Sequence, residues 1–197
     1  MSKAVFLDRD GTIIKEVNFL KKIEQIELIK GSAPAISLLN KAGLKVIVVT
    51  NQSGVARGYF TEEFVKESHR EIDNRLKKQG AMVDTWLYCP HHPTEGNIPY
   101  KKECNCRKPK PGLLLRAKDK FDIDLSQSFI IGDSLRDLEA GWNAGLKTIL
   151  VLTGYGENTL LSLKDELREQ ISFIAKDILE ASEWILNSLK NPLPKTS

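Results

Sequence analysis

Acidic residues that could share one cation occur at two distant points of the chain. Asp8 and Asp10 are separated by one residue and are followed by Gly11, which lets the backbone turn sharply; Asp133 follows Gly132 much later. Three carboxylates in one cleft repel one another unless a hard cation lies among them, and oxygen ligands suit Mg²⁺. With the ion bound, one carboxylate can act as a nucleophile. A neighbour whose pKa is raised by like charge can donate and then accept a proton.

A second set of residues has the spacing of a zinc site. Cys89 and His91 are one residue apart, Cys104 and Cys106 likewise, and twelve residues separate the two pairs. This Cys₃His set would fill the four positions of a tetrahedral Zn²⁺, so the zinc is expected to be structural. His92 is an alternative to His91 as the fourth ligand. An odd number of cysteines favours metal binding over a disulfide framework.

Short apolar runs alternate with amphipathic stretches, which predicts parallel strands covered by helices on both faces. The predicted strands are Ala4 to Leu7, Val46 to Val49, Thr85 to Tyr88, Phe129 to Ile131, Thr148 to Leu152 and a weaker one near Ile171 to Ile174. Five helices are predicted. Two begin at the N-caps Ser32 and Thr61, and the other three span Gly112 to Lys120, Leu135 to Ala144 and Ile178 to Leu189. The alternation predicts a doubly wound, Rossmann-like α/β fold.

Residues 89–111 break this alternation, because the segment is rich in proline and has no helical period. A bound zinc ion would order it in place of an apolar core. We expect one domain over residues 1–190 without a large cap domain, and a frayed tail over residues 191–197. His69 lies in the charged helix after Thr61 and is predicted to be a surface residue.

Polar residues follow the predicted strands. Thr50-Asn51-Gln52-Ser53 comes directly after the second strand, just as Asp8 follows the first and Asp133 the fourth. In an open parallel sheet, ligands bind in the crevice beyond the carboxyl ends of the strands. The three clusters are therefore expected to converge there.

Composition limits the class of protein. The 197 residues carry a net charge of +3, too small a bias to imply nucleic acid, and no apolar stretch approaches the roughly 18 residues that span a bilayer. The basic cluster around the predicted zinc site is short and has no interleaved aromatic residues. We expect a cytoplasmic, monomeric protein that binds a small anionic ligand, with no nucleic-acid or membrane partner.

The segment Asp8-Arg9-Asp10-Gly11-Thr12, together with Thr50, a downstream lysine, and Gly132-Asp133 with Asp137, resembles the four motifs of the haloacid dehalogenase phosphohydrolases. The resemblance extends from Lys3 to about Leu189. Segments 50–58, 89–93 and 104–109 are similar to the subgroup of heptose bisphosphate and histidinol phosphate phosphatases.

The resemblance implies a role for each motif. Asp8 would be the nucleophile and Asp10 the general acid and base, with Mg²⁺ held by the Asp8 carboxylate, the Asp10 carbonyl and Asp133. Thr50 and Lys108 would stabilise the transferring phosphoryl group, with Lys110 as the alternative lysine. The implied zinc ligand is His91 rather than His92. The resemblance implies that Asp137 orients Lys108 or metal-bound water. Without the resemblance, Asp137 would be interpreted as a residue of a solvated helix face. The implied substrate-binding residues are Asn51, Gln52, Ser53, Arg57 and Arg107.

The activity implied is that of a magnesium-dependent phosphomonoester hydrolase. The subgroup favours removal of the 7-phosphate of a heptose 1,7-bisphosphate, in the supply of nucleotide-activated heptose for surface polysaccharide, over hydrolysis of histidinol phosphate. A polynucleotide 3′-phosphatase or a nucleic-acid-binding zinc protein is a less favoured alternative. Two departures from the subgroup bear on substrate contacts: Ser134 stands where several relatives have a basic residue, and Asn18-Phe19 stands where they often have Gly-Tyr.

Overall fold

Six parallel strands form one sheet at the centre of the computed structural model, which describes residues 1–191. The strands are β1 (Ala4–Leu7), β2 (Lys45–Asn51), β3 (Thr85–Cys89), β4 (Phe129–Gly132), β5 (Lys147–Val151) and β6 (Phe173–Ala175). Their order across the sheet is β3-β2-β1-β4-β5-β6, and every pairing is parallel. The doubly wound α/β class is confirmed, and the predicted strands are correct to within about two residues at each end.

Helices connect the strands and cover both faces of the sheet. They are α1 (Ser32–Lys41), α2 (Glu62–Lys77), α3 (Gly112–Phe121), α4 (Leu135–Ala144), α5 (Gly156–Ser162), α6 (Asp165–Arg168) and α7 (Ile178–Lys190), with short 3₁₀ helices at Ile23–Gln25 and Leu125–Gln127. All five predicted helices are present. Helices α5 and α6 are not predicted, because they are too short to display a helical period.

Alternate residues of each strand enter two separate apolar layers. Val5 and Leu7 of β1 pack with residues of α1, α2 and α7, whereas Ala4 and Phe6 pack with residues of α3 and α4. All four side chains are fully buried. Burial on both faces explains why the strands are uninterrupted apolar runs.

The structure tests the two predicted helix N-caps, Ser32 and Thr61. The Thr61 side chain accepts a hydrogen bond from the Phe64 N–H at 3.2 Å, which confirms it as the N-cap of α2. The predicted cap Ser32 is wrong, because Gly31 occupies that position with φ of 93°. Ser32 is instead buried as the first residue of α1, and its hydroxyl donates to the Ile13 carbonyl at 2.9 Å, fixing the segment after β1.

The described residues contain no large cap domain between the strands. Residues 8–31 between β1 and α1, and residues 52–61 between β2 and α2, form loops and turns apart from the short 3₁₀ helix. None of the helices within residues 1–191 combines the length and apolar character needed to cross a membrane. Apart from Asn191, the tail predicted to be frayed lies outside the described residues.

Candidate active site

The carboxylates predicted to converge do so at the carboxyl ends of β1 and β4. Asp8 and Asp133 follow these neighbouring strands, and Asp137 lies one helical turn further on, in α4. Oxygen atoms of the three residues lie within 4.8 Å of one another. Asp8 Oδ1 is buried and accepts no well-aligned hydrogen bond, although the Lys108 ammonium lies 3.0 Å away. Buried carboxylate oxygens gathered around one point fit a hard divalent cation.

A backbone contact between two loops holds Asp133 in this cluster. Gly11 has φ of 76°, and a Cβ at this position would overlap the Asp133 carboxylate. The loop after β5 secures both residues: Thr153 Oγ1 donates to the Gly11 carbonyl at 2.6 Å, and the Tyr155 N–H donates to Asp133 Oδ2 at 2.8 Å. Glycine at position 11 is therefore required both for the turn and for the close approach of Asp133.

Burial and mutual repulsion disfavour the ionised forms of Asp8 and Asp133. Burial, reinforced by the charges of Asp8 and Asp137, raises the pKa of Asp133 to about 8. Burial also raises the pKa of Asp8 to about 6, although the Lys108 ammonium opposes this shift. A divalent cation among these oxygens would favour their ionised forms, so the electrostatics also fit a bound metal.

Lys108 is the lysine that enters the cluster. Its buried Nζ donates to the Val49 carbonyl at 2.8 Å, lies 3.0 Å from Asp8 Oδ1 and forms an ion pair with Asp137. Burial disfavours the ammonium, but the charges of Asp137 and Asp8 outweigh it and raise the pKa of Lys108. Lys110, the alternative, is directed away, and its Nζ lies 3.4 Å from Glu103.

Asp137 belongs to this buried cluster and not to a solvated helix face. Its carboxylate is fully buried, contacts Lys108, and accepts hydrogen bonds from Ser134 Oγ at 2.5 Å and from the Ser134 N–H at 3.1 Å. The same carboxylate therefore caps α4 and orients Lys108.

The carboxyl end of β2 and the residues that follow it bring polar groups against the aspartates. Thr50 is buried, and Gln52 Nε2 donates both to Thr50 Oγ1 at 3.0 Å and to Asp10 Oδ2 at 2.9 Å. Ser53 lies beside them at the cavity surface. Thr50 and Asp10, from two different strand ends, are therefore joined through one amide side chain.

All the predicted catalytic, magnesium-binding and substrate-binding residues line a single cavity of about 340 Å³. They are Asp8, Asp10, Thr50, Asn51, Gln52, Ser53, Arg57, Arg107, Lys108, Asp133 and Asp137. The size suits a small organic phosphate.

Basic groups gather at one side of the cavity mouth. Arg107, Arg136 and His92 line it, and the charge of Arg136 helps to lower the pKa of Arg107, although burial contributes more. Arg107 donates to the His91 carbonyl at 3.2 Å, whereas Arg136 has no hydrogen bond or ion pair within residues 1–191. Arg57 is ion-paired with Glu95. The mouth therefore offers two guanidinium groups to an anion.

The Cys₃His set is assembled from the last residue of β3, Cys89, and the loop that follows it. Ligand atoms of Cys89, His91, Cys104 and Cys106 lie within 4.8 Å of one another, and the three sulfurs are 3.3 to 3.5 Å apart. Tetrahedral Zn²⁺ with Zn–S bonds of about 2.3 Å separates its sulfurs by about 3.8 Å, so a small expansion would accommodate it. The pKa of Cys106 is lowered to about 5, mainly by its hydrogen bond with Cys89. The set fits a closed structural zinc site.

Sequence comparisons agree with this geometry. A family model described as HAD-hydrolase-like matches residues 105–181. The D-glycero-beta-D-manno-heptose-1,7-bisphosphate 7-phosphatase of Pasteurella multocida is 39% identical over 186 residues, which are 94% of this chain and 97% of that protein. The enzyme of the same name from Escherichia coli K12 is 38% identical over 187 residues, covering 94% and 89%. The chain belongs to the haloacid dehalogenase-like phosphatases, in the group of heptose bisphosphate phosphatases.

Solved structures of this phosphatase group have the same fold. The D,D-heptose 1,7-bisphosphate phosphatase from B. bronchiseptica, complexed with magnesium and phosphate, superimposes with a TM-score of 0.83 at 34% identity and covers 94% of this chain and 99% of its own. The enzyme from Burkholderia thailandensis has a TM-score of 0.68 at 29% identity, with 94% and 99% covered.

Several cavity residues of this phosphatase were not predicted from its sequence. Arg9, His92 and Arg136 line the cavity, as does Tyr155 from the loop after β5. Arg9 had a visible signal, since it lies between the two motif aspartates. The positions of Arg136 and Tyr155 depend on tertiary packing, which no local pattern reveals.

The prediction that His69 is a surface residue is wrong. The side chain is buried, its ring stacks on Trp86 at a centroid distance of 4.7 Å, and burial with the nearby Arg9 charge lowers its pKa to about 2. Val65, Ile72 and Leu76 continue the same buried stripe of α2. The helical spacing of these apolar residues is the sequence signal that could have identified His69 as buried.

Proposed function

We propose that this protein is a magnesium-dependent phosphatase that removes the 7-phosphate of D-glycero-β-D-manno-heptose 1,7-bisphosphate through an aspartyl-phosphate. The observation that carries the proposal is the convergence of Asp8, Asp133 and Lys108 in one cavity of a chain whose relatives bear that name. The β anomer is inferred from the names of those relatives.

In the first step, a carboxylate oxygen of Asp8 attacks phosphorus in line as the bond from phosphorus to the sugar oxygen breaks. Asp10 gives its proton to the departing sugar oxygen. In the second step, Asp10 takes a proton from water, whose oxygen attacks the aspartyl-phosphate. Inorganic phosphate leaves, and the Asp8 carboxylate is regenerated.

Hydrogen-bond donors in fixed positions are proposed to stabilise the negative charge of the transferring phosphoryl group. Thr50 Oγ1, the Asn51 N–H and the Lys108 ammonium are proposed to hydrogen-bond the phosphoryl oxygens, and each bond strengthens as charge develops. The Asp8 carboxylate, the Asp10 carbonyl and Asp133 would hold Mg²⁺. When bound, the ion would neutralise phosphoryl charge and favour the ionised carboxylates. The raised pKa of Asp8 and Asp133 supports this assignment.

The second phosphate of the substrate is proposed to bind at the cavity mouth. Arg107 and Arg136 provide two guanidinium groups there. Several relatives have a basic residue at the position of Ser134, and we assign the role of that residue to Arg136. Arg57 is already paired with Glu95, so we assign it a weaker contact. Gln52 and Ser53 complete the wall that faces the sugar.

The Cys₃His set is proposed to hold a structural Zn²⁺. Cys106 precedes Arg107 and Lys108 directly, so ordering of this loop would fix two cations that line the cavity. The small net charge supports a small sugar phosphate rather than nucleic acid as the substrate.

Steady-state kinetics test the proposal. With Mg²⁺ present, kcat/KM is measured for both anomers of the bisphosphate, for heptose 7-phosphate and for histidinol phosphate, with Asp8→Asn as the blank. We expect the β-bisphosphate to give the highest value and the blank to be folded but at least about 10⁴-fold less active. Faster turnover of histidinol phosphate would overturn the substrate assignment, and an active blank would overturn the mechanism.

A further inference from the structure

Arg9 is a charged residue buried within the active site. It follows the nucleophile position Asp8, its side chain is 2% exposed, and it is among the largest fully buried side chains of the described chain. A buried guanidinium is costly unless its hydrogen bonds and charge are satisfied. The role of Arg9 can therefore be read from the groups that satisfy it.

Most of these contacts are made with Asp10. Arg9 Nε lies 3.2 Å from Asp10 Oδ1 and 3.1 Å from Oδ2, and Nη2 donates to Oδ1 at 2.9 Å. Nη2 also donates to Gln52 Oε1 at 3.0 Å, and Nη1 donates to Ser68 Oγ at 3.3 Å. A planar guanidinium that contacts both carboxylate oxygens fixes the orientation of the carboxylate as well as its position.

Gln52 closes the network on its other side. Its Oε1 accepts from Arg9, while its Nε2 donates to Asp10 Oδ2 and to Thr50 Oγ1. Asp10 Oδ1 therefore accepts hydrogen bonds from two nitrogens of Arg9, whereas Asp10 Oδ2 accepts one from Arg9 and one from the amide nitrogen of Gln52. The proposed general acid and the proposed phosphate-binding hydroxyl are linked through side chains that cannot move independently.

Helix α2 supplies an uncharged wall behind Arg9. Ser68 and His69 face it, and burial keeps His69 neutral. Within residues 1–191, Asp10 is the single ion-pair partner of Arg9. The guanidinium charge is thus directed toward one carboxylate.

We infer that Arg9 is a positioning residue that acts through Asp10, aiming its carboxylate at the leaving-group oxygen of the substrate. The inference rests on the proposed function, in which Asp10 is the general acid and base. General acid catalysis contributes about 10² to 10⁴-fold and depends on correct geometry. Loss of Arg9 should therefore lower kcat, and it should do so most for substrates whose leaving group requires a proton.

The test compares Arg9→Met with the wild-type enzyme on the sugar bisphosphate and on p-nitrophenyl phosphate. We expect kcat on the sugar bisphosphate to fall about 10²-fold with KM nearly unchanged. The loss in kcat/KM on p-nitrophenyl phosphate should be clearly smaller than the loss in kcat/KM on the sugar bisphosphate, because kcat/KM reports the first phosphoryl transfer and p-nitrophenolate departs without protonation. Equal losses in kcat/KM on both substrates, or a change confined to KM, would overturn the inference. Ser68→Ala is the matched control: it removes the Nη1 contact but leaves Asp10 held, so activity should stay near wild type.

A double-mutant cycle with Asp10→Asn separates this role from a general structural one. If Arg9 acts through Asp10, adding Arg9→Met to Asp10→Asn should cost little further activity. Full additivity of the two losses would contradict the inference. If Asp10→Asn alone is fully active, the proposed function fails; if Asp10→Asn is inactive and Arg9→Met is fully active, only the positioning role fails.

Arg9→Lys keeps the test decisive if Arg9→Met does not fold. Lysine retains the charge but cannot contact both Asp10 oxygens and Gln52 together. We expect a folded protein, judged by its thermal unfolding, with kcat on the sugar bisphosphate between those of the wild type and Asp10→Asn. Wild-type kcat in folded Arg9→Lys would overturn the inference that the fork geometry positions Asp10.

Discussion

The side chain of Asn51 holds the backbone of Lys108 by two hydrogen bonds. Asn51 Nδ2 donates to the Lys108 carbonyl at 3.0 Å, and the Lys108 N–H donates to Asn51 Oδ1 at 3.1 Å. This pairing joins the carboxyl end of β2 to the loop that follows the proposed zinc ligands. The Lys108 ammonium is thus aimed at Asp8 by contacts to two separate parts of the chain.

Asn51→Asp should lower kcat without unfolding the protein. The change keeps an acceptor for the Lys108 N–H but replaces the donor with a carboxylate oxygen that faces the Lys108 carbonyl. Disturbing a part-buried pair of this kind costs about 1 to 3 kcal/mol, so we expect kcat on the sugar bisphosphate to fall about 10-fold or more.

Asn143→Asp is the matched control for that variant. Asn143 Nδ2 donates to the Pro109 carbonyl at 3.1 Å, one residue beyond Lys108, but outside the cavity. It should retain nearly wild-type kcat. Equal losses in the two variants would mean that the loop is merely loosened, and that Asn51 has no specific role in aiming Lys108.

Removal of the proposed zinc should disable the site indirectly. Cys104→Ser removes one thiolate of the Cys₃His set, and the loop carrying Arg107 and Lys108 should lose its fixed shape. We expect metal analysis to find about one zinc per wild-type chain and much less in the variant, with a fall in kcat and little change in far-UV circular dichroism.

Lys102→Ser provides the comparison in the same loop. Lys102 is exposed and is not one of the predicted ligands, so this variant should keep both its zinc and its activity. Full activity of a zinc-free Cys104→Ser protein would contradict the structural role of the metal.

The fold was predictable because its strands are apolar on both faces and its helices end at clear signals. The residues of the reacting centre were predictable for a related reason: Asp8 and Asp133 come directly after buried strands, Thr50 lies at the end of another, and parallel strands deliver their ends to one edge. Local pattern and tertiary position coincide at these points.

Other parts of the site depend on packing that the sequence does not display locally. Tyr155 secures Asp133 from a loop that has no motif, and Arg136 reaches the cavity mouth only because α4 begins beside it. His69 was mispredicted because the many charges of α2 concealed its apolar stripe. Ser32 was mispredicted as a cap because its hydroxyl serves the Ile13 carbonyl of a distant loop.

Arg136→Ala should weaken binding of a substrate that carries two phosphates. Arg136 lines the cavity mouth beside Arg107 and has no competing hydrogen bond or ion pair among residues 1–191. A charge-assisted contact to phosphate contributes about 1.5 to 3 kcal/mol, so KM for the bisphosphate should rise about 10-fold or more while kcat changes little.

Heptose 7-phosphate is the internal comparison for Arg136→Ala, because it lacks the second phosphate. Its KM should be nearly the same for the variant and the wild type. Arg116→Ala removes an exposed arginine from α3 and should affect neither substrate. Similar KM increases for both sugar phosphates in Arg136→Ala would place the contact at the reacting phosphate instead of the distal one.

His69 should make the folded state sensitive to acid. Its pKa is about 2 in the folded protein, first because of burial and then because of Arg9, against about 6.5 in the unfolded chain. Between these values the unfolded chain binds a proton that the folded protein excludes. The free energy of unfolding therefore decreases as the pH falls below about 6.5, by up to about 1.4 kcal/mol per pH unit.

His69→Phe removes this linkage while keeping an aromatic ring against Trp86, which His69 contacts by stacking. Urea unfolding between pH 7.5 and 5 should show the variant gaining stability relative to the wild type as the pH falls. Ser68→Ala, in the same buried stretch of α2 but without a titrating group, should retain the wild-type pH dependence. Parallel curves for wild type and His69→Phe would show that His69 takes up its proton as readily in the folded protein as in the unfolded chain, and would contradict the neutral, buried imidazole behind Arg9.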